Sequence, residues 1–372
     1  MSQPRHKASR RPEARHQAAR HRAARHRSAP EPAAPESSSS LLSRRGLLGA
    51  GALATAAIGA PPLVGTAAAA GATTAPFLPY TADSYFRTPV AGLASDPVRT
   101  AAFRAFMRTH PEQQSYAYPR ICGIGPNRWG TTYAMSTAAD PLWKLCGSIT
   151  PFCSNLASTG FHAPDWLGSI LTGTSDSPFC VVDLGSGFTI FGTKARLVAP
   201  RTISVQSAAI TYHSSNGLHR KDPLSNDTRN FTSRGRISDA MVIRSDLVDY
   251  GVANNTDLGH VLHLFLAETR SSDGYRHPMV GCESGKYGFG AEGERIAIDP
   301  AVNLTTRGLS PAGLVIARTL QRYGCYIGDN AGKESTLKAE QETPTHPVWN
   351  GRLTQDSLAG LRWDDFVVLR AT

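Results

Sequence analysis

The chain contains no CxxC pair, no HExxH, no P-loop, no GxSxG, no kinase motif and no glycine fingerprint for a dinucleotide. These absences remove zinc knuckles, thioredoxin-type redox sites, zinc-helix proteases, phosphate-cradling loops and the nucleophile elbow of the α/β-hydrolases. GFGAEG (288–293) has neither the spacing nor the flanks of a nucleotide loop. No organic cofactor and no metal site are expected. A membrane-length apolar run is also missing: the Ala/Gly-rich stretch after Arg45 is broken by Pro61-Pro62 and is too weakly apolar to span a bilayer. Excess charge is confined to one end. Residues 1–70 hold 11 of the 39 Lys and Arg and 3 of the 29 Asp and Glu, which leaves 28 against 26, a net charge of +2, for the remainder. Nucleic-acid binding rests on a basic patch and loses its support here.

What is present begins with a tail. Residues 1–40 repeat Arg-His and then run into EPAAPESSSS, too few apolar groups to offset ordering entropy, so a disordered basic tail is predicted. Residues 41–70 carry Ser43-Arg44-Arg45-Gly46-Leu47-Leu48, an apolar stretch and small residues around Ala68 and Ala70. That order describes a cleavable export signal, and the paired arginines resemble a twin-arginine signal. A secreted, extracellular protein is expected, with the twin-arginine machinery as partner of the precursor and no membrane span after cleavage. In that setting the even set Cys122, Cys146, Cys153, Cys180, Cys282 and Cys325 reads as disulfides, with Cys146–Cys153 the one specific pairing expected, across GSITPF.

Residues 71–115 are expected to form an N-terminal extension with one helix. Asp96 is a candidate N-cap, Pro97 fits the first turn, and Val98, Ala102, Phe106 and Met107 share a face. From 116 to 372, short β-like runs dominate: FCVVDL (179–184), FTIFG (188–192), RLVA (196–199), TISVQSAAITYH (202–213), DAMVIRSDLV (239–248), HVLHLFLAE (260–268) and ERIAIDP (294–300). Gly185-Ser186-Gly187 reads as a hairpin turn. A helix is capped by Ser310, begins at Pro311 and stops at Gly324, with Val315, Ile316 and Leu320 directed at a sheet. Many short strands predict a mainly β, antiparallel sandwich with one or two packed helices.

The blocks GRISDAMVIRSDLV (235–248), HPMVGCESGKYGFGAEGERIAIDP (277–300), LSPAGLVIARTLQRYGCYIGDNAG (309–332) and WDDFVVL (363–369) follow in that order. In this they resemble a group of exported bacterial β-sandwich proteins, concanavalin-like or jelly-roll in aspect, over about residues 160–372. The resemblance implies that fold, an extracellular setting and carbohydrate activity. This chain departs from the pattern at Asp239, where the group has His, and at Ala331, which is inserted into the Asp-Asn-Gly turn.

Glycoside hydrolysis needs two facing carboxylates, with aromatic or planar polar groups to hold the sugar. Glu268, Glu283 and Asp239 are the candidate catalytic acids. Arg276, His277, Tyr275, Asp329 and Trp166 are candidate substrate contacts. Each has a bland alternative: an ion pair for Glu268, an N-cap or turn for Asp239, left-handed turn chemistry for Asp329, and a stapled loop for GYRHPMVGCESGKYGFG (274–290). A polysaccharide or cell-envelope glycan is the expected partner. Two further readings stay open: a lectin-like protein without catalysis, and a polysaccharide lyase using His277 or Tyr275 as base with Arg276.

Overall fold

The computed structural model describes residues 74–149 and 151–370, the side chains of residues 151 and 152 excepted. The expected basic tail (1–40) and export signal (41–70) lie outside the described residues. Fourteen strands are present among them: β1 (Arg120–Cys122), β2 (Thr132–Ser136), β3 (Leu142–Gly147), β4 (Phe161–His162), β5 (Phe179–Asp183), β6 (Phe188–Thr193), β7 (Arg196–Ala199), β8 (Thr202–Val205), β9 (Ser207–Tyr212), β10 (Leu262–Leu266), β11 (Arg295–Ile298), β12 (Cys325–Asn330), β13 (Thr336–Lys338) and β14 (Phe366–Val368). The helices are α1 (Pro97–Thr109), α2 (Ser238–Met241), α3 (Ser245–Asn254) and α4 (Pro311–Arg322).

The strands form three sheets, in the orders β1-β13-β10-β12-β11-β14, β2-β5-β6-β9 and β4-β3-β8-β7. The protein is mainly β, but the antiparallel expectation meets a mixed topology. β1 with β13, β10 with β12, β2 with β5 and β3 with β8 run parallel, and the other pairs run antiparallel. The expected hairpin is present, with Asp183 opposite Phe188.

The two four-stranded sheets enclose one core. Phe179 and Val181 of β5 and Ile190 of β6 meet Trp143 and Leu145 of β3 and Ile203 of β8. Strand side chains alternate between faces, so Cys180 and Val182 point the other way, where they meet Tyr133 and Val242. β5 is buried on both faces, which is why FCVVD lacks polar alternation. The six-stranded sheet buries Leu262, Leu264 and Leu266 against α1, α3 and α4 through Phe103, Leu247, Val315, Ile316 and Leu320. Its opposite face presents His263, Phe265 and Lys338 to the cleft described below.

α4 forms as its sequence dictates. Ser310 Oγ accepts from Gly313 N at 3.1 Å, Pro311 occupies the first turn, and Gly324 follows the helix at φ 69°. α1 starts at the expected cap, Asp96, which accepts from Arg99 N at 2.9 Å. Its buried face differs from expectation: Thr100, Phe103 and Met107 point inward, while Val98 and Ala102 are exposed. The segment from residue 74 to 115 is part of the main core, with Phe103 and Met107 in the helix-covered layer and Phe86 packed beside Tyr326.

DAMVIRSDLV is not a strand. It holds the end of Ser238–Met241 and the start of Ser245–Asn254, which ends on left-handed Asn255 at φ 53°. Gly251 lets α3 touch α4, since a Cβ there would lie 2.6 Å from Val315 Cγ1. A short apolar run does not separate helix from strand by periodicity, and tertiary contact with α4 decides the matter.

The disulfide framework is also corrected: no disulfide is present among the described residues. Leu145 points into the core of the paired sheets, so its neighbour Cys146 points outward, whereas Cys153 lies inside that core. Cys325 belongs to the helix-covered core and Cys180 to the opposite face of β5. The Cys122 thiol donates to the carbonyls of Trp129 and Leu337 at 3.5 and 3.4 Å.

Candidate functional site

The turn SRG (233–235) places Arg234 in the left-handed region at φ 55°, followed by Gly235 at φ 87°. A Cβ on Gly235 would lie 2.8 Å from Pro278 O, so the turn presses on the 274–290 loop only with glycine there. Arg234 and Arg236, spaced around that glycine, reach the same carboxylate at the end of β12. Arg234 Nη2 donates to Asp329 Oδ1 at 2.7 Å, and Arg236 Nη1 donates to Asp329 Oδ2. Arg234 Nε donates to Glu292 Oε2 at 2.7 Å. Glu283 Oε1 stands 3.8 Å from Arg234 Nη2.

Glu283 is held from three more sides. Asn330 Nδ2 donates to its Oε2 at 2.8 Å, Lys286 Nζ lies 3.6 Å from the same oxygen, and its backbone N–H donates to Glu292 Oε1 at 2.9 Å. Glu292 is fully buried, and burial raises its pKa above the usual carboxylate range, with Arg234 opposing. Since Asp329 and Glu283 lie 2.7 and 3.8 Å from one nitrogen, their nearest oxygens can be no farther apart than the sum, 6.5 Å. Two sequence-derived candidates from different blocks therefore converge.

Both line a cavity of about 250 Å³ between the six-stranded sheet and the edge of the β5–β6 sheet, together with Asp176, Phe191, Lys194, His263, Phe265 and Lys338. A second cavity, of about 360 Å³, shares Asp176, Pro178, Phe265, Asp329 and Lys338 with the first and adds the exposed Trp129. The two make one cleft. His263 lies in its floor, stacked on Phe265 at 4.2 Å, with a buried Nε2 that has no hydrogen-bond partner among the described residues. Burial, with Arg236 nearby, holds its pKa well below the usual imidazole value. Gly328 makes room for it: a Cβ there would lie 2.2 Å from His263 Nε2.

The remaining sequence-derived candidates lie elsewhere. Glu268 falls beyond β10, accepts from Tyr287 N at 3.2 Å and lies 3.5 Å from His110 Nε2. Asp239 is buried and accepts a hydrogen bond from Tyr80, outside the residues that line this cleft. Arg276 and His277 line a separate cavity of about 190 Å³, in which His277 Nδ1 donates to Asp222 Oδ2 at 2.6 Å. Tyr275 is exposed, and Trp166 stacks on His346 at 4.3 Å. The 274–290 loop is thus held by hydrogen bonds instead of sulfur: Ser271 Oγ donates to Glu283 O at 2.8 Å and accepts from Lys286 N at 2.9 Å. Sequence reasoning missed Arg234 and Lys338 as cleft residues. The one available signal was SRGRIS, two arginines around a glycine ahead of an apolar run.

Among the described residues no group of three His, Cys, Asp or Glu side chains could hold a metal ion, and no helix is long and apolar enough to cross a membrane. Comparison with protein-family models, with curated proteins and with solved structures finds no match to this chain.

Proposed function

We propose that this is an exported carbohydrate-active protein whose cleft hydrolyses a glycan, with Glu283 and Asp329 as the carboxylate pair. The observation that carries the reading is their convergence within 6.5 Å on Arg234 in a cleft lined by Phe265 and Trp129. A spacing of at most 6.5 Å admits the closer of the two paired-carboxylate geometries, and the aromatic groups offer sugar rings a stacking surface. Asp329, fixed by two guanidiniums, would face the positive charge that develops on the sugar ring. Glu283, more exposed and with its ion pairs at longer distances, would exchange the proton with the glycosidic oxygen. Export by the twin-arginine route belongs to the same reading and rests on SRRGLL. The two four-stranded sheets share a core, which supports a sandwich reading for that part of the chain.

A second reading has an observation of its own. Both oxygens of Asp329 are already occupied by guanidiniums, an arrangement that suits a rigid binding wall as well as a catalyst. The cleft would then hold a glycan without cutting it.

Reducing-sugar release from a panel of plant and bacterial polysaccharides distinguishes them. The hydrolase reading expects Glu283→Gln and Asp329→Asn to lower release at least a hundredfold, the size usual for lost acid or base function, while glycan binding persists. Binding without release by the native protein supports the second reading. An unsaturated, ultraviolet-absorbing product, or full activity in both amide variants, overturns the hydrolase assignment.

A further inference from the structure

Lys338 differs from the arginines around the cleft, and it is the one lysine that lines both of its parts. Arg234 and Arg236 each have a carboxylate within 4 Å, as does Lys286, whereas the Lys338 amine has no hydrogen bond or ion pair among the described residues. Its strand explains its position. In β13, Leu337 enters the helix-covered core, so Thr336 and Lys338 emerge on the cleft face. Cys122 is its register partner on β1, and its amine lies over the Phe265 ring, 4.4 Å from the centroid. It lines both parts of the cleft.

We propose that Lys338 is a nucleophilic amine that forms an imine with a small aldehyde or ketone entering the cleft. A lysine is reactive when it is desolvated and lies near other cations, because both conditions favour the neutral amine. Partial burial lowers the Lys338 pKa and Arg236 acts in the same direction, while Cys122, Asp329, Asp176 and the face of the Phe265 ring oppose. His263, also facing this space, has its pKa held down, so its neutral ring neither assists nor opposes. In the step, the amine lone pair attacks the carbonyl carbon and the C=O π electrons move to oxygen, giving a carbinolamine. A C=N bond then forms as the C–O bond breaks, and the oxygen departs as water with the two hydrogens of the amine. No oxidant or reductant is consumed. The proposal stands on Lys338 and not on glycan cleavage, so it survives if the hydrolase reading fails.

The full chain is incubated at pH 7 with glycolaldehyde or dihydroxyacetone and sodium cyanoborohydride, and the alkylated lysines are mapped by peptide mass. Lys338 should be labelled at least roughly tenfold faster than the exposed Lys221 and Lys333, as expected of a desolvated, reactive amine. Lys338→Met should lose that fast phase while keeping its circular dichroism. Labelling of Lys338 in the native chain no faster than at Lys221 and Lys333 overturns the proposal, whatever the variant does.

Discussion

Tyr80 donates its hydroxyl to the carboxylate of Asp239, at 3.0 Å from Oδ1 and 2.9 Å from Oδ2, and also lies 2.7 Å from Thr211 Oγ1. Burial is the largest influence on Asp239 and lifts its pKa to about 6, against the bonds from Thr189 and Tyr80. The folded state therefore binds a proton that the unfolded chain has already released between about pH 4 and 6, and stability falls as pH rises through that window. Asp239→Asn should remove the fall and gain up to roughly 3 kcal/mol at pH 7 relative to the parent. Denaturant midpoints at pH 4 and 7 check this. An equal pH slope in the two proteins would show that Asp239 is not the group responsible.

Gly328 and His263 occupy the same space. Gly328→Ala should cost about 1–3 kcal/mol, because the imidazole must move out of a packed floor. His263→Ala in the Gly328→Ala background should recover much of that loss, a coupling that a double-mutant cycle measures. Additive effects would mean that the two side chains do not compete.

Arg234 neutralises Glu292, which is fully buried. Arg234→Gln should cost about 3–5 kcal/mol at pH 7, since it leaves that carboxylate uncompensated. Glu292→Gln in the same background should restore part of the stability. Thermal unfolding of the three variants tests the order.

Leu320 is fully buried in α4, whereas Val98 on α1 is 76 % exposed. Leu320→Ala should cost about 2–5 kcal/mol, and Val98→Ala should change stability by less than about 0.5 kcal/mol. Chemical denaturation of both gives a direct contrast. Similar costs would mean that the two helix faces are wrongly placed.

The thiols should separate by depth. Cys146 and Cys282 are half-buried, while Cys122, Cys180 and Cys325 are buried, and burial pushes Cys325 up to about 12. A thiol reagent should modify Cys146 and Cys282 in the native protein. It should reach Cys122, Cys180 and Cys325 only after denaturation, with no reductant needed. A requirement for reductant would reinstate the sulfur framework that the secreted setting suggested.

Local signals were legible where one short segment carries the whole cause. Ser310-Pro311 and Asp96-Pro97 announce their helices because capping and proline geometry act within four residues. Gly185-Ser186-Gly187 announces its hairpin for the same reason. Parallel pairing was not legible, because nothing near Arg120 names Thr336 as its partner. Glu283 and Asp329 were selected as acids near strand ends, but their meeting depends on Arg234, whose left-handed backbone is stabilised by contact with the 274–290 loop. Asp239 looked like a strand-start acid. Its true role depends on Tyr80, 159 positions away.

The six-stranded sheet also constrains how the chain is made. β1 is attached to that sheet only through β13, and β14 closes the other edge against β11. A nascent chain carrying β1 has no partner for it until residue 336 has been synthesised, and β11 keeps an open edge until residue 366. Contacts this distant in sequence form late, after the entropy of closing a very long loop has been met. A premature stop shortly before residue 366 would therefore release a nearly full-length chain with an unpaired strand, poorly protected from proteolysis and self-association.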